Sequence, residues 1–252
     1  MENVRIIPRL DIKGPNVVKG MHTEGLRVIG NPRELALRYY SEGADELLYM
    51  DIVASLYQRN LDFDLLKSVA DGVFIPITVG GGIRSMGDID NALRAGADKV
   101  AINTYAILRP EFLKEAANKF GSQCIVLSVE AKKTGDKKWE AYTDGGREKT
   151  GMDVVEWIKK AISFGIGEVV VTSIDSEGTR RGYDLGLINA VTSFSPVPVI
   201  AHGGAGNVGS FKDVILNCQT DAVSAASVFH YQDYSIGELK KFLKKEKINV
   251  RL

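Results

Sequence analysis

Four stretches in the first half of this chain return in the second half, in the same order and at nearly constant distance. GADELLYMDI (43–52) returns as GIGEVVVTSI (165–174), and IPITVGGGIRS (75–85) returns as VPVIAHGGAGN (197–207), both offset by 122 residues. DKVAINT (98–104) returns as DAVSAAS (221–227) at 123, and IIPRLDIK (6–13) returns as CIVLSVEAK (124–132) at 119. A unit of this length is too long for a solenoid repeat. It asks for a fold built from two like halves, about residues 1–120 and 121–252, joined in one domain with a pseudo-twofold axis.

Within each half, short apolar runs alternate with helical patterns. Strands are predicted at 4–12, 46–52, 76–81, 99–103, 124–130, 168–174, 198–204 and 222–227. Helical patterns occupy 32–43, 62–72, 86–96, 109–121, 152–165 and 210–217, and a last amphipathic segment with a basic face runs over 236–247. A glycine follows most of them, as a helix C-terminus favours. Such alternation predicts parallel strands joined by right-handed crossovers. In 252 residues its natural closure is a single (β/α)₈ TIM barrel over 1–252, assembled from two half-barrels. An open doubly wound sheet is the alternative.

Composition narrows the partners. Lys plus Arg and Asp plus Glu number 32 each, so no basic field favours nucleic acid. No apolar run approaches the roughly 18 residues that cross a membrane, and MENVRIIPRL lacks the shape of a signal peptide. Cys124 and Cys218 have no metal or redox spacing and read as buried free thiols of a cytoplasmic protein. Neither a metal nor a cofactor is expected.

Two glycine clusters sit at corresponding places in the halves. Gly81 and Gly82 follow the third strand, and Asn103 and Thr104 end the fourth. Gly203 and Gly204 follow the seventh, and Ala226 and Ser227 end the eighth. Glycine lets backbone N–H groups approach an anion, and barrels often hold phosphate there. Two such cradles across one mouth predict a long ligand with a phosphate at each end. Tight turns alone are the competing explanation. GAGNVG (204–209) also fits a dinucleotide fingerprint, but the next strand ends in AASVF, without the acidic residue that would hold a ribose.

Asp11 ends the first strand and Glu130 the fifth, and in a closed eight-stranded barrel those strands are opposite. A carboxylate pair at the C-terminal rim suits acid–base work on a substrate lying between them. Alternatively, these acids bind loop N–H groups or a lysine such as Lys13 or Lys132. Alternation places Arg9 on the same inward face as Asp11, so Arg9 needs a buried partner, either Asp11 or Glu130. At the opposite end Arg5, Glu46, Lys99 and Glu168 begin strands, and charges of both signs there can satisfy one another as a ring.

Together RIIPRLDIKGPNVVKG, DELLYMDI, TVGGGIR, GADKVAINT, FGSQCIVLSVEAK, GEVVVTSID, IAHGGAG and the terminal NVRL resemble the cyclase subunit of imidazole glycerol phosphate synthase, of histidine biosynthesis. The likeness runs from about residue 4 to residue 252. It implies a lyase that uses ammonia from a partner glutaminase. A bisphosphorylated ribulosyl aminoimidazole carboxamide would become imidazole glycerol phosphate and an aminoimidazole carboxamide ribotide. By this resemblance Asp11 and Glu130 do the acid–base work. Lys19, Gly178 and Thr179 join the cradle residues in holding substrate. Arg5, Glu46, Lys99 and Glu168 form an ammonia gate, and the glutaminase docks near Asp98 and Gln123 as a heterodimer.

Four positions depart from the family pattern. Cysteine is usual at Arg9, aspartate at Glu130 and at Glu177, and a small residue at His202. They leave a second reading open, in which a diverged relative channels ammonia to another acceptor, as in amidination of surface-polysaccharide sugars. A non-catalytic scaffold for the glutaminase is a third, which retention of Asp11 and both cradles opposes.

Overall fold

A computed structural model of the protein describes residues 3–22 and 24–252. The strands are β1 (Arg5–Lys13), β2 (Asn16–Met21), β3 (Glu24–Gly30), β4 (Leu47–Asp51), β5 (Ile77–Gly80), β6 (Lys99–Ile102), β7 (Ile125–Gly135), β8 (Lys138–Thr143), β9 (Glu148–Asp153), β10 (Glu168–Ser173), β11 (Val199–His202) and β12 (Ala222–Ala225). The helices are α1 (Pro32–Ser41), α2 (Phe63–Ala70), α3 (Met86–Arg94), α4 (Thr104–Leu108), α5 (Glu111–Phe120), α6 (Val154–Ser163), α7 (Leu185–Thr192), α8 (Val208–Cys218), α9 (Ser227–His230) and α10 (Ile236–Lys245).

Eight parallel strands close in the order β1-β4-β5-β6-β7-β10-β11-β12, with β12 paired back to β1. This is a (β/α)₈ barrel, and β1 and β7 lie on opposite sides of it. All eight predicted strands are present, most within a residue or two of their expected ends. β7 is the exception: it runs on to Gly135 and turns into the antiparallel β8 and β9. A second hairpin, β2–β3, grows antiparallel from the end of β1. These additions are short: β9 is largely exposed, β2 does not alternate, and β8 alternates over only six residues, so the apolar pattern did not reveal them. Helix α7 was missed as well: its run LGLINAVT is mostly apolar all round and carries little periodicity.

Local signals start several of the helices. Asn31 caps α1 ahead of Pro32, and Ser85 with Asp88 and Ser235 with Glu238 form capping boxes on α3 and α10. The main core lies between strands and helices. A second, smaller apolar layer fills the barrel itself: Ile7, Leu48, Ala101, Val126, Val170, Ile200 and Ala222. Charged side chains sit above and below it. Both cysteines are free, but Cys124 is only half-buried, because it lies in the turn before β7 rather than inside that strand. Among the described residues, no helix is long and apolar enough to cross a membrane.

Candidate active site at the C-terminal mouth of the barrel

The inward face of β1 climbs through Arg5, Ile7, Arg9 and Asp11. Arg9 Nε donates to Asp11 Oδ1 at 2.7 Å, so Asp11 rather than Glu130 is its direct partner. Lys19, carried back over the mouth by β2, donates to Asp11 Oδ2 at 3.0 Å and to Glu177 Oε1. The other oxygen of Glu177 is 3.1 Å from His202 Nε2, and His202 Nδ1 lies 3.1 Å from Ser224 Oγ. All six of Arg9, Asp11, Lys19, Glu177, His202 and Ser224 are buried. Burial opposes charge on Asp11, but Arg9 and then Lys19 outweigh it and hold the carboxyl well below its usual range. Glu177 likewise stays ionised against burial, chiefly through Lys19 and His202. Burial keeps His202 below its ordinary value despite Glu177.

Glu130 faces this cluster from the far wall in a different state. Its Oε2 accepts from the Asn103 amide at 3.2 Å. Burial pushes it up to about 7, an effect Arg9 opposes and Asp11 adds to. One wall therefore holds a fixed carboxylate and the other a carboxyl able to carry a proton near neutrality. The contact adds a task to Asn103: its NH₂ group donates to Glu130 and to the Tyr142 carbonyl at 3.0 Å.

The two glycine clusters are alike in backbone. Gly81 and Gly82 have φ of 99° and 71°, and Gly203 and Gly204 have 95° and 98°. A Cβ on Gly81 would lie 2.2 Å from the Asp51 carbonyl oxygen, and one on Gly203 2.8 Å from that of Ser173. Asp51 and Ser173 are themselves repeat mates, so glycine is required here first by packing on the preceding strand. The residues opening α4 and α9 match too: Asn103 has φ −123° and ψ −86°, Ala226 φ −123° and ψ −69°. The spaces differ. Gly81, Gly82, Asn103, Thr104 and Glu130 line an open cavity of about 540 Å³. Gly178, Gly203, Gly204, Ala226 and Ser227 line one of about 10 Å³, together with Glu177 and His202. The β2–β3 hairpin covers that side: His22 N–H donates to the Glu177 carbonyl at 2.9 Å, and a Cβ on Gly178 would lie 2.5 Å from Gly20 O. Thr179 is not part of this lining; its hydroxyl donates within its own loop to Ser176 O at 2.7 Å.

At the N-terminal end the ring is closed. Arg5 donates to Glu46 and Glu168 at 2.6 Å each, and Lys99 reaches the same two carboxylates at 3.1 and 2.9 Å. Beside it Gln123 lines a cavity of about 290 Å³. Asp98 is exposed, but one of its oxygens accepts from Ile77 N–H at 2.8 Å. Asp45 does the same for Ile6 and Asp221 for Val199, so Asp98 has a structural task whatever docks there.

The profile of the histidine biosynthesis protein family matches residues 5–235. Over 212 residues, 84% of this chain and all of the relative, the chain is 59% identical to imidazole glycerol phosphate synthase subunit HisF of Legionella pneumophila. Over 247 residues, 98% of each, it is 46% identical to subunit HisF of Streptococcus mutans serotype c. The chain belongs to the HisF family.

The four positions expected to depart from the family pattern are not scattered. Arg9, Glu177 and His202 form one connected set through Asp11 and Lys19, and Glu130 looks onto it. Sequence could not link them, because they come from β1, the loop after β10, and β11. Sequence reasoning also passed over Asp51, which ends β4 and lines the large cavity. Arg59 pairs with it at 2.8 Å. The signal was available, since Asp51 is an acid at the end of an apolar run in the sequence, the feature that singled out Glu130.

Proposed function

We propose that this HisF-family barrel is the cyclase subunit of imidazole glycerol phosphate synthase. Ammonia enters from a glutaminase docked on the N-terminal face, around Asp98 and Gln123. The ring of Arg5, Glu46, Lys99 and Glu168 gates its entry. It reacts at the opposite mouth with the bisphosphorylated ribulosyl aminoimidazole carboxamide, giving imidazole glycerol phosphate and an aminoimidazole carboxamide ribotide. The observation that carries this reading is the pair of buried carboxyls, Asp11 clamped by Arg9 and Lys19 and Glu130 held by the Asn103 amide, on opposite walls of the mouth.

Adding ammonia to a ketose carbon and closing a ring both need protons delivered and removed. Asp11, held ionised by Arg9 and Lys19, is suited to accept a proton or to steady a developing cation. Glu130 is suited to donate one. The two glycine clusters, with Thr104 and Ser227, are the phosphate ends of the site. The substrate spans them over the acid pair, which requires the β2–β3 hairpin to lift from the smaller cavity. An interior reached only from the glutaminase side keeps ammonia away from water.

The test is turnover of the purified chain with ammonium salt and the bisphosphate. Imidazole glycerol phosphate should form, and Asp11→Asn should abolish it. A well-folded preparation without turnover would sink this reading. The connected replacements at Arg9, Glu177 and His202 would then favour amidination of another acceptor, such as a surface-polysaccharide sugar.

A further inference from the structure

Between the ring at the bottom of the barrel and the acids at its mouth, the interior is apolar apart from the buried hydroxyl of Thr78 on β5. Ile7, Leu48, Val126, Val170 and Ile200 fill it, each no more than 2% exposed. Directly above this layer lies a single cationic side chain. Arg9 leaves β1, donates through Nε to Asp11 at 2.7 Å, and reaches Thr172 Oγ1 with Nη1 at 3.4 Å. Thr172 belongs to β10, and β11 and β12 intervene between it and β1 in the barrel order. The guanidinium therefore crosses the lumen rather than lying along its wall. It lines both the large cavity and the smaller space around Asp11 and Lys19, so it forms a floor common to the two halves of the mouth.

We propose that Arg9 is an inner gate of the barrel, closing the apolar interior beneath the acid pair until Asp11 engages the acceptor. This rests on the ammonia route proposed above. A guanidinium only donates hydrogen bonds. It can meet the lone pair of neutral ammonia but repels ammonium, so the species delivered to the mouth is the nucleophilic one. Its bond to Asp11 ties the gate to the chemistry: a substrate that draws Asp11 upward draws Arg9 from its span to Thr172. With the mouth empty, ammonia stays below. The outer ring would then control entry and Arg9 release.

The experiment measures imidazole glycerol phosphate formed per glutamine consumed, and free ammonia, in the complex with the glutaminase at limiting bisphosphate. Arg9→Ala should lower the ratio at least threefold, with ammonia making up the difference. The wild type is run at a bisphosphate concentration that matches the variant's ammonium-supported rate, so slower chemistry at the mouth does not by itself lower the ratio. Arg9→Met, which keeps length without charge, repeats the test if Arg9→Ala does not fold. Arg9→Lys should retain more of the wild-type ratio than either. A ratio in Arg9→Ala or Arg9→Met equal to that of the matched wild type would overturn the gate while leaving the cyclase reading intact. Wild-type protein that makes no product from ammonium salt or from glutamine would overturn both.

Discussion

At the scale of single residues the site is governed by how each buried carboxyl is compensated. Asp11 touches two cations, so Asp11→Asn leaves Arg9 and Lys19 facing an amide. The cost should be about 3–5 kcal/mol, read as a lowered Tm alongside the loss of turnover. Its contribution should be present at neutral pH and vanish only as pH falls below the ordinary carboxylate range, because folding lowers its pKa. Glu130 has the opposite sign. Folding raises it from 4.5 to about 7, so the folded state is penalised as pH rises through that window, by at most about 3 kcal/mol. Glu130→Gln should therefore gain stability at pH 8 and nothing near pH 4, as thermal melts at the two pH values will report. The same variant should lose on the order of a hundredfold or more in kcat, and the alkaline fall in activity near pH 7 should disappear with it. If Glu130→Gln keeps that limb, Glu130 is not the proton donor.

At the scale of elements the decisive piece is the β2–β3 hairpin. It delivers Lys19 to Asp11 and Glu177 and seals the smaller cradle through contacts between Gly20 and Gly178. Gly178 has φ of 74° and no room for a Cβ. Gly178→Ala should cost roughly 1–3 kcal/mol and push the hairpin outward, taking Lys19 with it. A misplacement of this size costs on the order of a hundredfold in rate. Steady-state kinetics with ammonium salt, beside a thermal melt, will show whether activity falls much further than stability. The α/β core was readable from periodicity, but both hairpins were not: β8 does bury Trp139 and Ala141 on one face, yet each apolar face is only two or three residues long and β9 is largely exposed.

At the scale of the whole molecule the duplication is kept in backbone and broken in use. The two cradles share glycine conformations and the backbone at Asn103 and Ala226, yet one opens on about 540 Å³ and the other on about 10 Å³. High inorganic phosphate should therefore fill two sites of unequal affinity, the one at Gly81 and Gly82 first, as a phosphate titration followed by NMR or a phosphate-soaked crystal would reveal. A single anion in the mouth would argue against a bisphosphate. On the opposite face, Asp98→Ala removes the acceptor of the Ile77 N–H. It should lower the Tm of the isolated chain as well as any affinity for the glutaminase, by about 1–3 kcal/mol if that N–H is left unpaired.

The sequence by itself determined the eight barrel strands, their order around a closed barrel, the duplication, and which acids and glycines stand toward the mouth on or just after those strands. Those follow from local periodicity and a fixed offset, which the chain carries along its length. Only the tertiary structure decided that Arg9 spans to Thr172 and pairs with Asp11 rather than Glu130. It alone joined Glu177 and His202 to Lys19, gave the Asn103 amide to Glu130, and covered one cradle of two. These are matters of a few ångströms between side chains, several of them far apart in the chain, as Arg9 and Thr172 or Lys19 and Glu177 are. Burial then turns each small distance into a charge state, and no pattern along the chain encodes that conversion.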